Sequence, residues 1–113
     1  MKIEGPGELL RIFIGESDQW QGRPLHEAIL LAARKQGLAG CTVVRGMAGF
    51  GAKSHIHTVK LLRLSEDLPI IIEIVDQSER IAAFLPTLDS MVSEGLVTLE
   101  KVSVLIYRHS AAT

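Results

Sequence analysis

Residues 68–75, LPIIIEIV, form a near-continuous apolar run in which Glu73 is the only charge. A strand wetted on one face alternates apolar with polar residues, so a strand without that alternation is one covered on both faces. Residues 8–15 have the same character: Leu10, Ile12 and Ile14 alternate with Leu9, Arg11 and Phe13, and Gly15 closes the segment. Any sheet built from these strands needs cover on two sides.

Helices supply one cover. Pro24 suits the first position of a helix, where its missing N–H has no partner to lose, and Leu25, Ile29, Ala32 and Gln36 trace a stripe at helical spacing. Gly37 is the expected left-handed stop. A second amphipathic helix carries Ile81, Phe84, Leu85, Leu88, Met91 and Val92, introduced by Asp76 and Glu79 at capping-box spacing. Pro86 is expected to kink or split it, and Gly95 to end the unit. Further strands are predicted at 41–45, 59–64 and 102–107 from their β-branched and apolar content.

The order is β-α-β-β-α-β, with one β segment interrupted by the SEDLP turn. It predicts an α+β, ferredoxin-like sandwich: an antiparallel four-stranded sheet with two helices on one face. At 113 residues the chain is expected to form a single domain. The second face of the sheet then calls for another subunit. Composition agrees, with 47% hydrophobic residues against 22% charged and a mean hydropathy of +0.26.

Twelve basic and thirteen acidic residues are intermixed, for a net charge of −1, which leaves no basic field to neutralise a run of phosphates; nucleic-acid binding is not expected. The lone Cys41 has no intramolecular disulfide partner, and no signal peptide is evident, which favours a reducing cytoplasm. No apolar run reaches the length of about 18 residues that suggests a membrane span.

Side-chain chemistry concentrates in residues 45–58, RGMAGFGAKSHIHT, where three glycines, two basic residues and two histidines fall together. Gly46, Gly49 and Gly51 give the backbone freedom to wrap a ligand, though a flexible hairpin has the same composition. His55 and His57 share a face in an extended segment and could hold a metal, but no carboxylate follows until Glu66. Cys41, His55 and His57 lie at no spacing that demands a catalytic assembly, so an enzyme is not expected. Arg63 and Glu73, charges within apolar strands, are expected to pair with each other or across an interface. Glu16, Ser17 and Asp18 are expected to cap the segment that follows or to bound a cleft, and Trp20 to pack at an interface edge.

The segments VVRGMAGFGA, His57–Thr58, LPIIIEIVD and EGLVTLEKVSV, taken with the element order, resemble the PII-like signalling superfamily. More narrowly they resemble its uncharacterised prokaryotic branch, in which LRIFIGE, RGxAGFG and LLRLSEDLP recur together. The resemblance spans residues 8–107. It implies a homotrimer whose sheets line a central core, with adenine nucleotides bound in clefts between subunits. It also implies a mobile loop that reports the ligand to a membrane transporter or an enzyme.

Gly49, Phe50 and Gly51 are similar to the glycine-phenylalanine-glycine at the base of that loop, where main-chain amides face phosphates. The family's following arginine and glutamine are replaced by Ala52 and Lys53, so Arg45 or Lys53 would supply the charge. The family's TGKIGDGK loop reads EGLVTLEK here: Gly95 and Lys101 persist, whereas Leu96, Thr98 and Glu100 replace a lysine and two glycines. Fewer free amides and one less cation point to an AMP-like or cyclic nucleotide over ATP. The loop is short and has no tyrosine.

The expected ligand set is therefore Arg45, Gly46, Gly49, Phe50, Gly51, Lys53, His57, Gly95 and Lys101, with no cofactor required. The alternative is a metal-binding or purely structural trimer without nucleotide sensing.

Overall fold

The computed structural model describes residues 4–51 and 67–109. In chain order these form β1 (Gly5–Gly15), a short hairpin of β2 (Gln19–Trp20) and β3 (Arg23–Pro24), and α1 (Leu25–Lys35). Then come β4 (Thr42–Arg45), β5 (Pro69–Asp76), α2 (Ser78–Met91) and β6 (Leu96–Val104). The main sheet runs β4-β5-β1-β6 with every neighbouring pair antiparallel, the ferredoxin-like arrangement predicted above. The strand expected at 59–64 lies outside the described residues, as does Arg63.

Register explains which residues face the helices. Leu10 lies opposite Ile74, Ile12 opposite Ile72 and Ile14 opposite Ile70, and all six are buried. Against them pack Leu25, Ala28, Ile29 and Ala33 from α1, and Ile81, Phe84, Leu88 and Met91 from α2. Each leucine, isoleucine, phenylalanine or methionine among them contributes about 1.5–3 kcal/mol on leaving water. Gly37, at φ +79, turns the chain out of α1 as predicted. Gln36 reaches α2 instead of the sheet, donating to the Ala83 carbonyl at 3.1 Å and accepting from the Thr87 hydroxyl at 2.9 Å.

The opposite face of the sheet carries Leu9, Phe13, Ile71 and Val75 around a central charge pair. Arg11 Nε donates to Glu73 at 2.8 Å and its Nη1 to Glu100 at 3.4 Å. Among the described residues Glu73 thus pairs with Arg11, its cross-strand neighbour.

Four further expectations are corrected. Asp76 does not cap α2; Gln77 is the N-cap, and Asp76 closes β5 with its side chain fully buried. There it accepts from the Gln77 amide at 2.7 Å, the Ala39 amide at 2.9 Å and Arg80 Nε at 3.1 Å. Pro86 does not split α2, which runs unbroken from Ser78 to Met91 around it. The last strand begins at Leu96, not 102, and ends at Val104, because the whole segment pairs with β1. Pro24 is the N-cap of α1 instead of its first residue. Trp20, apart from these four, is partly buried against its own subunit's core cluster.

Candidate functional site

The glycine-rich stretch leaves the sheet at the end of β4. There the Gly46 amide donates to the Pro69 carbonyl at 2.7 Å, and the chain folds back over the Pro69 ring. A Cβ at Gly46 would sit 2.7 Å from the Pro69 Cγ, and one at Gly49, where φ is +156, would sit 3.2 Å from it. These two glycines are therefore required by close approach to Pro69. Among the described residues nothing approaches the Cβ position of Gly51, and Phe50 and Met47 are exposed.

Three other segments converge at this end of the sheet. The turn after β1 is held by carboxylates: the Gly15 amide donates to Asp18 at 2.9 Å, and Ser17 donates to Asp67 through its amide at 2.9 Å and its hydroxyl at 2.7 Å. The Glu16 amide donates to the Leu68 carbonyl at 2.8 Å. Its side chain reaches Arg45, whose Nε lies 3.0 Å from the Glu16 carboxylate. An open polar cleft of about 220 Å³ lies alongside, lined by Ser17, Asp18, Gln19, Leu25, Ser93 and Glu94. Ser17 and Asp18 lie on the wall of this depression, and Glu16 does not.

Gly95 sits at the same end but on the far edge of the sheet, at φ +152, where a Cβ would meet the Phe13 carbonyl at 2.7 Å. Between it and Gly46 lie β5 and β1, so the two edges are about 14 Å apart, three strand spacings of about 4.8 Å. Lys101 is farther still. It lies opposite Glu8 in the register, six residues along β6 from Gly95 or roughly 20 Å at about 3.3 Å per residue.

Cys41 is half-buried, and burial pushes its thiol up to about 11, so it is protonated near neutrality and a poor nucleophile. Among the described residues no group of three or more His, Cys, Asp or Glu side chains is placed to hold a metal. No described helix is long and apolar enough to cross a membrane.

Residues 7–104 match the family model DUF190, described as "Uncharacterized ACR". The chain belongs to the DUF190 family. It is 40% identical over 98 residues to a UPF0166 protein of Aquifex aeolicus, covering 87% of this chain and 92% of the relative. To a UPF0166 protein of Methanocaldococcus jannaschii it is 32% identical over 93 residues, covering 81% and 85%. In fold it is similar to a PII-like protein (TTHA0516) of Thermus thermophilus, with a TM-score of 0.62 at 19% identity over 93% of this chain and 94% of that one. A second neighbour is CPII of Thiomonas intermedia, a nitrogen regulatory PII-like protein bound to ADP, AMP and bicarbonate. It aligns with a TM-score of 0.59 at 17% identity over 91% and 97%. The PII-like fold expected from the motifs is the fold of this chain.

Within the single DUF190 chain the expected ligand set is only partly assembled. Arg45, Gly46, Gly49, Phe50 and Gly51 are contiguous at the end of β4, Gly95 lies across the sheet, and Lys101 is remote. Lys53, His55 and His57 lie outside the described residues. The segment expected as a second ligand loop is strand β6, in which alternate residues of Leu96 to Val104 give their amides and carbonyls to β1 and the others face away from the sheet at its edge. Sequence reading missed the Glu16–Arg45 pair and the role of Asp67, both of which join segments far apart in the chain.

Proposed function

We propose that this protein is a PII-like regulator that binds a small adenine nucleotide in clefts between subunits and reports it through residues 45–58. The observation that carries the reading is the split of the candidate site between the two edge strands. Arg45 ends β4, Gly46 to Gly51 follow it, and Gly95 precedes β6, at one end of the same sheet. Edges about 14 Å apart in one subunit become neighbours when the β4 edge of one copy approaches the β6 edge of the next. CPII, which has this fold, is bound to ADP and AMP.

The open face of the sheet supports a homotrimer. Leu9, Phe13, Ile71 and Val75 are only partly covered, and Leu96 and Val44 are exposed, so a second and third copy remove this apolar surface from water. An AMP-like ligand is favoured over ATP because β6 replaces a glycine-rich loop with a paired strand, leaving fewer amides for additional phosphates. The protein acts without a required cofactor and without catalysis. Its setting in this reading is the cytoplasm, where the exposed Met47 and Phe50 can meet a transporter or enzyme.

Calorimetry with AMP, ADP, ATP and cyclic nucleotides, beside metal analysis of the purified protein, tests the reading. Heat from AMP at one site per subunit is expected. No heat from any nucleotide together with stoichiometric metal would replace it with a metal-binding trimer.

A further inference from the structure

We infer that Glu16 selects for low phosphate number at the glycine-rich stretch: its pairing with Arg45 admits a monophosphate and disfavours a di- or triphosphate. This rests on the nucleotide reading above and adds a residue that sets the ligand's charge.

Arg45 is the only cation in residues 45–51. Its Nε lies 3.0 Å from Glu16, which leaves the Nη edge of the guanidinium directed away from that contact. Glu16 is part of the frame: its amide is bonded to the Leu68 carbonyl at 2.8 Å, so its backbone is anchored where β5 begins. Its carboxylate is one of several held at this end. Asp18 is fixed on the Gly15 amide, Asp67 on Ser17, and Glu94 lines the adjoining cleft.

A phosphate that engages Arg45 must therefore approach a charge already balanced. The first phosphate can use the Nη donors and nearby main-chain amides. Each further phosphate adds negative charge at the end of the sheet where Glu16, Asp18 and Asp67 already stand. Like charges a few ångströms apart at a hydrated surface shift a binding constant by about five- to tenfold.

The side chains of Arg45 and Glu16 are 57% and 33% exposed, so Glu16→Gln is expected to keep the fold, which thermal melting would verify. AMP, ADP and ATP are titrated calorimetrically into the wild-type protein, Glu16→Gln and Glu16→Asp, at low salt without divalent cation. In Glu16→Gln the affinities for all three nucleotides are expected to rise, about fivefold for AMP and by more with each added phosphate, so that the preference for AMP narrows, and the gain should shrink as salt is added. Glu16→Asp retains the charge and should retain the wild-type preference. An unchanged ratio of AMP to ATP affinity in Glu16→Gln, with nucleotides still binding, overturns the selector role and leaves the nucleotide reading standing. No heat from any nucleotide with any of the three proteins overturns both.

Discussion

The Asp76 carboxylate accepts the Ala39 amide at 2.9 Å, tying the end of β5 to the loop that follows α1. The same carboxylate holds the Gln77 amide and Arg80 Nε, and Arg80 in turn donates to the Gly37 carbonyl. A charge with no exposed surface is tolerated because these donors replace its water. The joint sets where both helices meet the sheet, and so where β4 starts on its way to the glycine-rich stretch.

Replacing Asp76 by Ala should therefore destabilise the fold by about 3 kcal/mol, since it strands two amides and the Arg80 guanidinium together. Asp76→Asn keeps an acceptor and should lose less. Urea unfolding followed by circular dichroism would measure both. A loss below about 1 kcal/mol for the alanine variant would mean that water replaces the carboxylate.

How much of this was legible in the sequence depends on whether the cause is local. The runs at 8–15 and 68–75 declare themselves as strands because every residue contributes to the pattern, and Gly37 declares the end of α1. Asp76 does not, since an aspartate three residues before Glu79 is spelled alike whether it caps a helix or binds Ala39 across 37 residues of chain. The start of β6 is hidden because Glu100 and Lys101, adjacent charges, break the apolar alternation that an edge strand does not need. At the candidate site the glycines are conspicuous, yet the Glu16–Arg45 pair is one opposite-charge combination among many until the fold brings its members to 3.0 Å.

Arg11 occupies the middle of the open face between Glu73 and Glu100. Arg11→Glu would gather three carboxylates on the surface proposed to meet other copies. Assembly is expected to weaken by about 3 kcal/mol per subunit once that face is covered. Light scattering after size exclusion should show trimers for the wild-type protein and monomers for the variant. A variant that stays trimeric would place the subunit interface elsewhere.

Cys41 adds a pH dependence whose sign follows from burial. Its pKa rises from 9.0 to about 11, so the folded state holds the proton more tightly than the unfolded state. The corresponding stability is fully present below pH 9 and is lost as pH rises towards 11. Denaturation midpoints should therefore fall over that range, and fall less in Cys41→Ala. Alkylation at about pH 8 should also be slower in the native protein than in urea. Equal rates would mean that the thiol is freely solvated.

Gly49 and Gly51 separate the structural from the ligand-binding use of the glycine-rich stretch. Gly49 wraps Pro69 at positive φ, so Gly49→Val combines a steric conflict with backbone strain and should lower stability by about 1–3 kcal/mol whether or not a ligand binds. Lost nucleotide affinity in that variant alone would therefore be ambiguous. A Cβ added at Gly51 would meet nothing within 4 Å among the described residues, so Gly51→Ala should leave the melting temperature within about 2 °C of wild type. If main-chain amides there face a phosphate, the added methyl should weaken AMP binding at least about fivefold, read by calorimetry. Unchanged affinity in Gly51→Ala would confine the glycines to wrapping Pro69 and leave Arg45 as the contact to pursue.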